Sequence, residues 1–190
     1  MVEDTVLRII GGKFKGRRLR AVRGTRTRPT SDRTREAIFN MIASEVRNTR
    51  VLDLFAGTGA LGLEALSRGA QSAVFIDINR QSLSVLRENL AGLSPESPNR
   101  VIRWDLTKNL NCLLSMPQAF DLVFLDPPYN KNLIIPALDH LRLSQSLENG
   151  ARIIVEHSQL EPIEPDRLAF EIVDQRRYGK TLVSFLNYVV

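Results

Sequence analysis

Apolar runs of strand length alternate with helix-length segments from Arg50 onward, and this alternation constrains the fold more than any other feature of the chain. Five runs, each followed by amphipathic or turn-bounded sequence, cover residues 51–55, 73–78, 101–104, 120–125 and 151–156. Buried strands that alternate with helices predict a mostly parallel sheet, covered on both faces and connected by right-handed crossovers. The predicted fold class is therefore α/β, doubly wound.

Two further apolar runs, at residues 169–173 and 181–190, close the chain without a helix-length segment between them. A parallel return between neighbouring strands requires roughly a dozen residues or more. The short connection through residues 176–180 therefore predicts that the last two strands are antiparallel.

Positive charge is concentrated at the start of the chain. The 190 residues carry a net charge of +5, whereas residues 1–35 alone hold eleven Lys and Arg against three acids, a net charge of +8. Lys and Arg neutralise phosphates and release counterions, so a basic arm is typical of a chain that binds nucleic acid. A solvated or disordered tail is the alternative. The side chains predicted to contact phosphate are Arg17, Arg18, Arg28, Arg33 and Arg35.

The basic arm also has local structure signals. Gly11 and Gly12 stand between two short runs with apolar residues, which predicts a two-residue β-hairpin turn. Ser31 and Asp32 can cap a helix, and an apolar face at helical spacing follows them. The sequence therefore predicts a basic hairpin extension over residues 1–30 that is fastened to a body over residues 31–190.

A G-x-G-x-x-G motif, from Gly57 to Gly62, follows the first predicted strand and opens a helix. Its glycines let a ligand approach backbone N–H groups at a helix N-terminus. Asp77 lies 20 residues beyond Gly57, at the end of the second strand, where a carboxylate can accept hydrogen bonds from both hydroxyls of a ribose. The pattern predicts a nucleoside-containing cofactor, with a tight packing turn as the alternative.

The acids around the motif indicate which cofactor is bound. Asp53, four residues before Gly57, would repel a pyrophosphate but suits the ammonium group of S-adenosylmethionine; it could instead satisfy local backbone groups. Asp105 could reach an adenine amino group or cap the helix that follows it. The predicted cofactor-binding residues are Asp53, Ala56, Gly57, Thr58, Gly59, Asp77, Ile78, Asp105 and Leu106.

The segment Asp126-Pro127-Pro128-Tyr129 follows the fourth predicted strand. In a doubly wound sheet the loops after the first and fourth strands share a crevice, so these residues are predicted to be catalytic opposite the glycines. The Asp126 carboxylate and the Pro127 carbonyl could hold both N–H bonds of a nucleobase amino group and aim its nitrogen at a methyl group. Tyr129 could stack on the base. A simple turn after the strand is the alternative.

The Asp-Pro-Pro-Tyr segment resembles the fourth motif of amino-methyltransferases. Together with Arg8-Ile9-Ile10-Gly11-Gly12, Arg28-Pro29-Thr30 and the run from Leu52 to Arg68, it resembles the RsmD family of bacterial 16S ribosomal RNA guanine-N2 methyltransferases. The resemblance implies a seven-stranded, Rossmann-like class I methyltransferase fold and RNA contact through the basic hairpin. It also implies that Gly57, Gly59, Asp77 and Asp105 bind S-adenosylmethionine. Where the family often has Glu at the end of the second strand, this chain has Asp77.

The expected function is methyl transfer to guanine N2 in small-subunit ribosomal RNA, with ribosomal RNA or the small subunit as partner. The alternatives are a DNA adenine-N6 methyltransferase, a non-catalytic RNA-binding assembly factor and a nicotinamide oxidoreductase. Cys112 offers no disulfide, His140 and His157 lack metal-ligand spacing, and no apolar stretch reaches the roughly 18 residues of a membrane span. A cytoplasmic monomer without a metal is therefore expected.

Overall fold

The computed structural model describes residues 7–22, 31–93, 96–164 and 169–189. Within these ranges the helices are α1 (Asp32–Met41), α2 (Ala60–Ser67), α3 (Arg80–Leu93) and α4 (Ile134–Leu143). The strands are β1 (Arg50–Leu54), β2 (Ser72–Asp77), β3 (Asn99–Arg103), β4 (Phe120–Leu125), β5 (Leu147–Ser158), β6 (Phe170–Tyr178) and β7 (Thr181–Tyr188). A short 3₁₀ helix covers Asn111–Leu113.

The strands form one seven-stranded sheet in the order β3-β2-β1-β4-β5-β7-β6. β1 to β5 run parallel to one another, whereas β7 is antiparallel to both β5 and β6. The predicted doubly wound α/β fold with an antiparallel closing pair is confirmed. The second half of β6, residues 174–178, was not predicted as strand. This edge strand pairs with β7 alone, and its exposed polar residues form no apolar run.

Both faces of the sheet are covered, as the continuous apolar runs predict. Side chains alternate across each strand, so Val51 packs into one core cluster with α1, α2 and α3, whereas Leu52 packs into the other with α4. Burying one such side chain stabilises the fold by about 1.5–3 kcal/mol. No helix in the described ranges is long and apolar enough to cross a membrane.

The basic arm lies against α2. The buried Glu64 carboxylate accepts hydrogen bonds from the backbone N–H groups of Ile10 at 2.7 Å and Gly11 at 2.8 Å. Gly12 has a φ of +77°, and a Cβ atom there would lie 1.9 Å from the carbonyl oxygen of Ser67. The glycines therefore serve the close approach to α2.

The turn in the arm is wider than the two-residue turn predicted at Gly11-Gly12. The turn covers residues 11–16, and a single antiparallel bridge joins Arg8 to Arg18. The N-terminal β-hairpin is thus not confirmed. The arm is nevertheless fastened to the body, as predicted, because Leu7, Ile9 and Leu19 are buried in the same core cluster as α1, α2 and α3.

The start of α1 agrees with the capping signal. Ser31 has an extended backbone, and its Oγ accepts a hydrogen bond from the backbone N–H of Thr34 at 3.1 Å. This satisfies one of the backbone donors that every helix leaves open in its first turn.

Candidate active site

The loops that leave β1 and β4 lie side by side at the carboxyl edge of the sheet. In the parallel β1–β4 pair, Leu54 lies opposite Leu125. Beyond that pair the backbone N–H of Asp126 donates to the carbonyl oxygen of Leu54 at 3.5 Å. These contacts confirm the predicted adjacency of two segments, which we call the glycine loop (residues 55–59) and the target loop (residues 126–132).

The glycine loop makes a tight turn into α2. Phe55 has a φ of +57°, an unusual value for a bulky side chain and a sign of local strain. Gly59 has a φ of +84°, and a Cβ atom there would lie 2.2 Å from Leu86 Cδ1. At Gly57, by contrast, the nearest atom to such a Cβ is the Phe55 oxygen at 3.9 Å. Gly59 therefore packs against α3, whereas Gly57 borders open space.

The remaining predicted residues of the glycine loop are held by their backbones. Ala56 is buried, and its N–H donates to the carbonyl oxygen of Ile76 at 3.1 Å. The carbonyl oxygen of Thr58 accepts a hydrogen bond from Asn89 Nδ2 at 3.1 Å. Asn89 also exchanges two hydrogen bonds with the backbone of Arg20. This buried amide, which the sequence analysis did not single out, therefore joins the basic arm to the glycine loop.

The Asp53 side chain supports the glycine loop from inside. It is 2% exposed, and its Oδ2 accepts a hydrogen bond from the backbone N–H of Gly62 at 2.9 Å. Burial raises the pKa of Asp53 to about 7. Of the two roles left open by the sequence, the structure shows the satisfaction of a backbone group. The direct contact with a cofactor ammonium stays a prediction.

The Asp77 carboxylate connects the end of β2 to the glycine loop. Its Oδ2 accepts from the backbone N–H of Gly57 at 2.8 Å, and its Oδ1 accepts from that of Asn79 at 2.7 Å. Each carboxylate oxygen has a second lone-pair site, so both remain able to accept from a ligand hydroxyl. Ile78, the next predicted cofactor residue, is exposed beside this carboxylate.

Asp105 caps a turn after β3. Its Oδ1 accepts from the backbone N–H of Thr107 at 3.1 Å and from its hydroxyl at 2.6 Å, and these hydrogen bonds lower the pKa of Asp105. The capping role left open by the sequence is present, although it caps a turn and not a regular helix. The Leu106 side chain is buried in the core, so the structure leaves it no side-chain contact with a cofactor. Trp104 packs against the same core cluster.

The residues of the target loop differ in their exposure. Asp126 is partly exposed, Pro127 is buried, and Pro128 is exposed. Tyr129 is 38% exposed, and its hydroxyl donates to Glu156 Oε1 at 2.6 Å. Burial, followed by the charge of Glu156, raises the pKa of Tyr129 well above its usual range, so the phenol stays protonated.

Two residues missed by the sequence analysis hold Tyr129 from the antiparallel end of the sheet. Glu156 is 6% exposed near the end of β5, and Thr181 begins β7 with its Oγ1 3.1 Å from the Tyr129 hydroxyl oxygen. Neither belongs to a motif. The sequence offers one signal for Glu156, which is that an acid stands within the buried run 153–158. A buried carboxylate requires a partner.

Glu161 holds the backbone after the Asp-Pro-Pro-Tyr segment. Its carboxylate accepts hydrogen bonds from the backbone N–H of Asn130 and, at 2.7 Å, from that of Asn132. Asn130 and Asn132 have φ values of +56° and +54°, a conformation that Asn tolerates better than most residues. The target loop is therefore fixed at both Tyr129 and the following turn.

His157 in turn positions Glu161. This buried imidazole has Nδ1 2.9 Å from the carbonyl oxygen of Glu161, so Nδ1–H donates, and its Nε2 accepts from the hydroxyl of Ser184 at 2.8 Å. Burial lowers the pKa of His157, which favours this neutral form. The described residues contain no group of three or more His, Cys, Asp or Glu side chains placed to hold a metal ion.

The arginines predicted to bind RNA divide into three groups. Arg17, Arg18 and Arg33 are exposed and remain candidates for phosphate contact. Arg28 lies outside the described residues. Arg35 has no exposed surface, and its Nη2 donates to the carbonyl oxygen of Arg8 at 2.6 Å.

The prediction for Arg35 is therefore wrong. Its Nη2 also donates to Asp32 Oδ1 at 2.8 Å, and burial lowers its pKa while Asp32 opposes that shift. The cause is helical geometry, since Arg35 lies on the same face of α1 as the buried Ile38 and Phe39, three and four residues on. Charge alone does not distinguish a buried structural arginine from a phosphate ligand.

Comparisons with known proteins agree with this geometry. A family model described as conserved hypothetical protein 95 matches residues 7–187. Ribosomal RNA small subunit methyltransferase D of Escherichia coli K12 is 38% identical over 150 residues, which cover 79% of this chain and 74% of the relative. The Haemophilus influenzae protein of the same name is 35% identical over 160 residues, which cover 83% of this chain and 81% of its own length.

Solved structures show the same fold over nearly the whole length. The yhhF protein of Escherichia coli has a TM-score of 0.81 at 33% identity and covers 97% of this chain and 99% of its own. A hypothetical protein of Thermus thermophilus, TTHA0928, has a TM-score of 0.79 at 28% identity, with coverages of 95% and 98%. The chain therefore belongs to the conserved hypothetical protein 95 family, which is the RsmD family of methyltransferases.

Proposed function

We propose that this chain transfers a methyl group from S-adenosylmethionine to the exocyclic N2 of a guanine in 16S ribosomal RNA. The proposal is carried by the position of the glycine loop and the target loop on the neighbouring parallel strands β1 and β4. A nucleoside cofactor and an acceptor nucleobase can meet there. Two relatives, 38% and 35% identical, are named ribosomal RNA small subunit methyltransferase D, which supports ribosomal RNA as the substrate.

The residues around the glycine loop fit the cofactor. The space beside Gly57 leaves room for a ligand against the backbone, and Asp77 offers carboxylate oxygens for ribose hydroxyls at the same place. The exposed Ile78 can cover an adenine ring, and Asp105 lies after the next strand. When bound, S-adenosylmethionine supplies an electrophilic methyl group on a positively charged sulfur.

The target loop is suited to an amino group with little nucleophilicity. The lone pair of a guanine amino nitrogen is delocalised into the ring, so alignment and electrostatics must supply most of the catalysis. In the proposed complex the Asp126 carboxylate and the Pro127 carbonyl accept the two N–H bonds, and Asp126 takes the proton that the nitrogen gives up. The base must leave its stack to reach this loop.

Tyr129 forms the stacking surface for the extruded base. Its phenol is held by Glu156 and Thr181, so the ring is oriented before the base arrives. Stacking on an aromatic side chain contributes about 1–3 kcal/mol per base. The raised pKa keeps the Tyr129 hydroxyl protonated, which supports a role in binding the base.

The test is methyl transfer from labelled S-adenosylmethionine to small ribosomal subunits from cells that lack this protein, with 16S ribosomal RNA transcript and duplex DNA as parallel substrates. We expect label on guanine N2 of the small-subunit RNA. Label on DNA adenine would support the DNA methyltransferase instead. RNA binding without methyl transfer would support a non-catalytic assembly factor.

A further inference from the structure

A space of about 240 Å³ lies between the start of α1 and the turn that joins β6 to β7. Its walls come from two segments that are far apart in the sequence. They are Ser31, Arg33 and Thr34 on one side, and Arg177, Tyr178 and Gly179 on the other. The second group belongs to no motif of the sequence.

This space lies close to Thr181, a residue that holds the target loop. Thr181, whose Oγ1 contacts the Tyr129 hydroxyl at 3.1 Å, follows Gly179 by only two residues. Two residues of extended chain span at most about 7 Å. A group bound in the space is therefore near a base stacked on Tyr129.

Two arginines, Arg33 and Arg177, give the walls of the space a positive charge. Among the ion pairs of the described residues, neither Arg33 nor Arg177 has a carboxylate partner. Arg177 Nε donates to the carbonyl oxygen of Gly179 at 3.1 Å, which ties the side chain to its own turn. Glu36, one helical turn beyond Arg33, forms no ion pair with it.

The acids next in sequence are already engaged. Asp32, which precedes Arg33, pairs with Arg8 at 3.1 Å and with Arg35 at 2.8 Å. Asp174, on the same strand as Arg177, pairs with Arg176 at 2.9 Å. The space therefore presents two guanidinium groups to an anion, while Asp32 and Asp174 are paired with other arginines.

We propose that Arg33 and Arg177 together bind one backbone phosphate of the RNA substrate, next to the nucleotide whose base enters the target loop. A guanidinium fork matches the oxygens of a phosphate, and two forks from opposite walls hold it in one place. Phosphate contacts of this kind set the register of a nucleic acid on a protein and carry no sequence information. This inference rests on the proposed function, since it assumes an RNA substrate.

The chain provides a matched control. Arg176 and Arg177 are consecutive on β6, so their side chains point to opposite faces of the sheet. Arg176 is paired with Asp174, whereas Arg177 lines the space. Substituting either to alanine removes the same charge, but only Arg177→Ala removes the proposed phosphate ligand.

The test measures binding of a 16S ribosomal RNA transcript and of small ribosomal subunits over a range of salt concentrations. We expect Arg33→Ala and Arg177→Ala each to weaken binding at least about fivefold and to lower the log–log salt slope by about 0.7–0.9, the contribution of one phosphate. Arg176→Ala should stay within about twofold of the wild type. Affinity for S-adenosylmethionine and the thermal midpoint should be unchanged in all three.

The double variant Arg33→Ala/Arg177→Ala tests whether the two side chains share one phosphate. Its salt slope should fall by no more than that of the stronger single variant, because one contact is lost in either case. Additive slope changes would overturn the proposal in favour of two separate surface contacts. Equal losses in Arg176→Ala and Arg177→Ala, or unchanged binding in Arg177→Ala, would also overturn it.

The outcome is separable from that of the proposed function. If the wild type methylates ribosomal RNA while Arg33→Ala and Arg177→Ala bind RNA like the wild type, the phosphate site alone is rejected. If the wild type binds RNA through these arginines but transfers no methyl group, the enzymatic proposal alone is rejected. Should an alanine variant lose folded structure, Arg33→Gln and Arg177→Gln are measured in its place and judged by the same slopes.

Discussion

The glycine loop and the target loop lie on adjacent strands but are held in different ways. The glycine loop turns on its own glycines and is held at backbone groups. Gly62 donates to Asp53, Gly57 donates to Asp77, and the Thr58 carbonyl oxygen accepts from Asn89. The target loop is fixed by side chains 27 to 52 residues away, on β5, on β7 and just beyond β5.

This difference separates two kinds of functional information. The cofactor side is a local backbone structure, so its motif reports it directly. The target side depends on β7, which is inserted between β5 and β6 and brings Thr181 to Tyr129. Substitutions on the two sides should therefore fail differently, the first in stability or cofactor affinity and the second in turnover.

The largest effect is expected at the target loop. Asp126→Ala should lower turnover by about 10³-fold or more, because it removes an acceptor that aligns the amino nitrogen and holds its proton. Affinity for S-adenosylmethionine, measured by calorimetry, should change by no more than a few fold. Asp126→Asn serves as the control that keeps size and one acceptor. Turnover equal to that of the wild type in Asp126→Ala would contradict the assigned role.

The next effect is expected at the glycine loop. Gly59→Ala should destabilise the protein by roughly 3–4 kcal/mol, because it combines left-handed strain with a Cβ atom 2.2 Å from Leu86 Cδ1. Gly92→Ala is the matched control, since nothing lies within 4 Å of the added atom and the position is helical. Urea unfolding measures both. If Gly59→Ala and Gly92→Ala had the same free energy of unfolding, the glycine loop would not be packed against α3 as described.

A third prediction concerns the pH dependence of stability. Because the pKa of Asp53 is raised from 3.8 to about 7, the folded protein retains a proton that the unfolded chain has released between these values. The contribution of this group is therefore fully present below about pH 4 and is lost as the pH rises to about 7. Asp53→Asn cannot ionise and still offers an acceptor to Gly62.

Relative to the wild type, Asp53→Asn should accordingly gain about 3 kcal/mol of unfolding free energy between pH 5 and pH 8, from about two pKa units at about 1.4 kcal/mol each. Urea unfolding at both pH values measures the change. A constant difference between the two proteins would show that Asp53 is ionised throughout and that its burial has been misread.

The smallest effect is expected at Tyr129. Tyr129→Phe keeps the stacking ring but loses the hydrogen bond to Glu156, so turnover should fall by about tenfold through misorientation of the base. Cofactor affinity should not change. Glu156→Gln retains an acceptor for the Tyr129 hydroxyl, so its turnover should fall less than that of Tyr129→Phe. If the double variant Tyr129→Phe/Glu156→Gln loses the full product of the two single effects, the residues act independently and the positioning role is refuted.

The sequence by itself determined the α/β class, the antiparallel closing pair and the two loops that carry the candidate site. Periodicity, glycine and proline act on neighbouring residues, so their consequences are visible without the fold. The start of α1 at Ser31 is a further example of a local signal.

Only the tertiary structure decided which side chains support those loops and which charges are available. Arg35 is buried because of the helix face on which it lies. Gly11-Gly12 docks on α2 because Glu64 accepts a hydrogen bond from the Gly11 N–H, the Ser67 hydroxyl donates to the Gly11 carbonyl oxygen, and Gly12 has no Cβ to collide with the Ser67 backbone. Glu156, Thr181 and Arg177 acquire their surroundings from the order of the strands. Contacts between side chains that are distant in sequence depend on the order and register of the strands. Strand order and register leave no local signal in the chain.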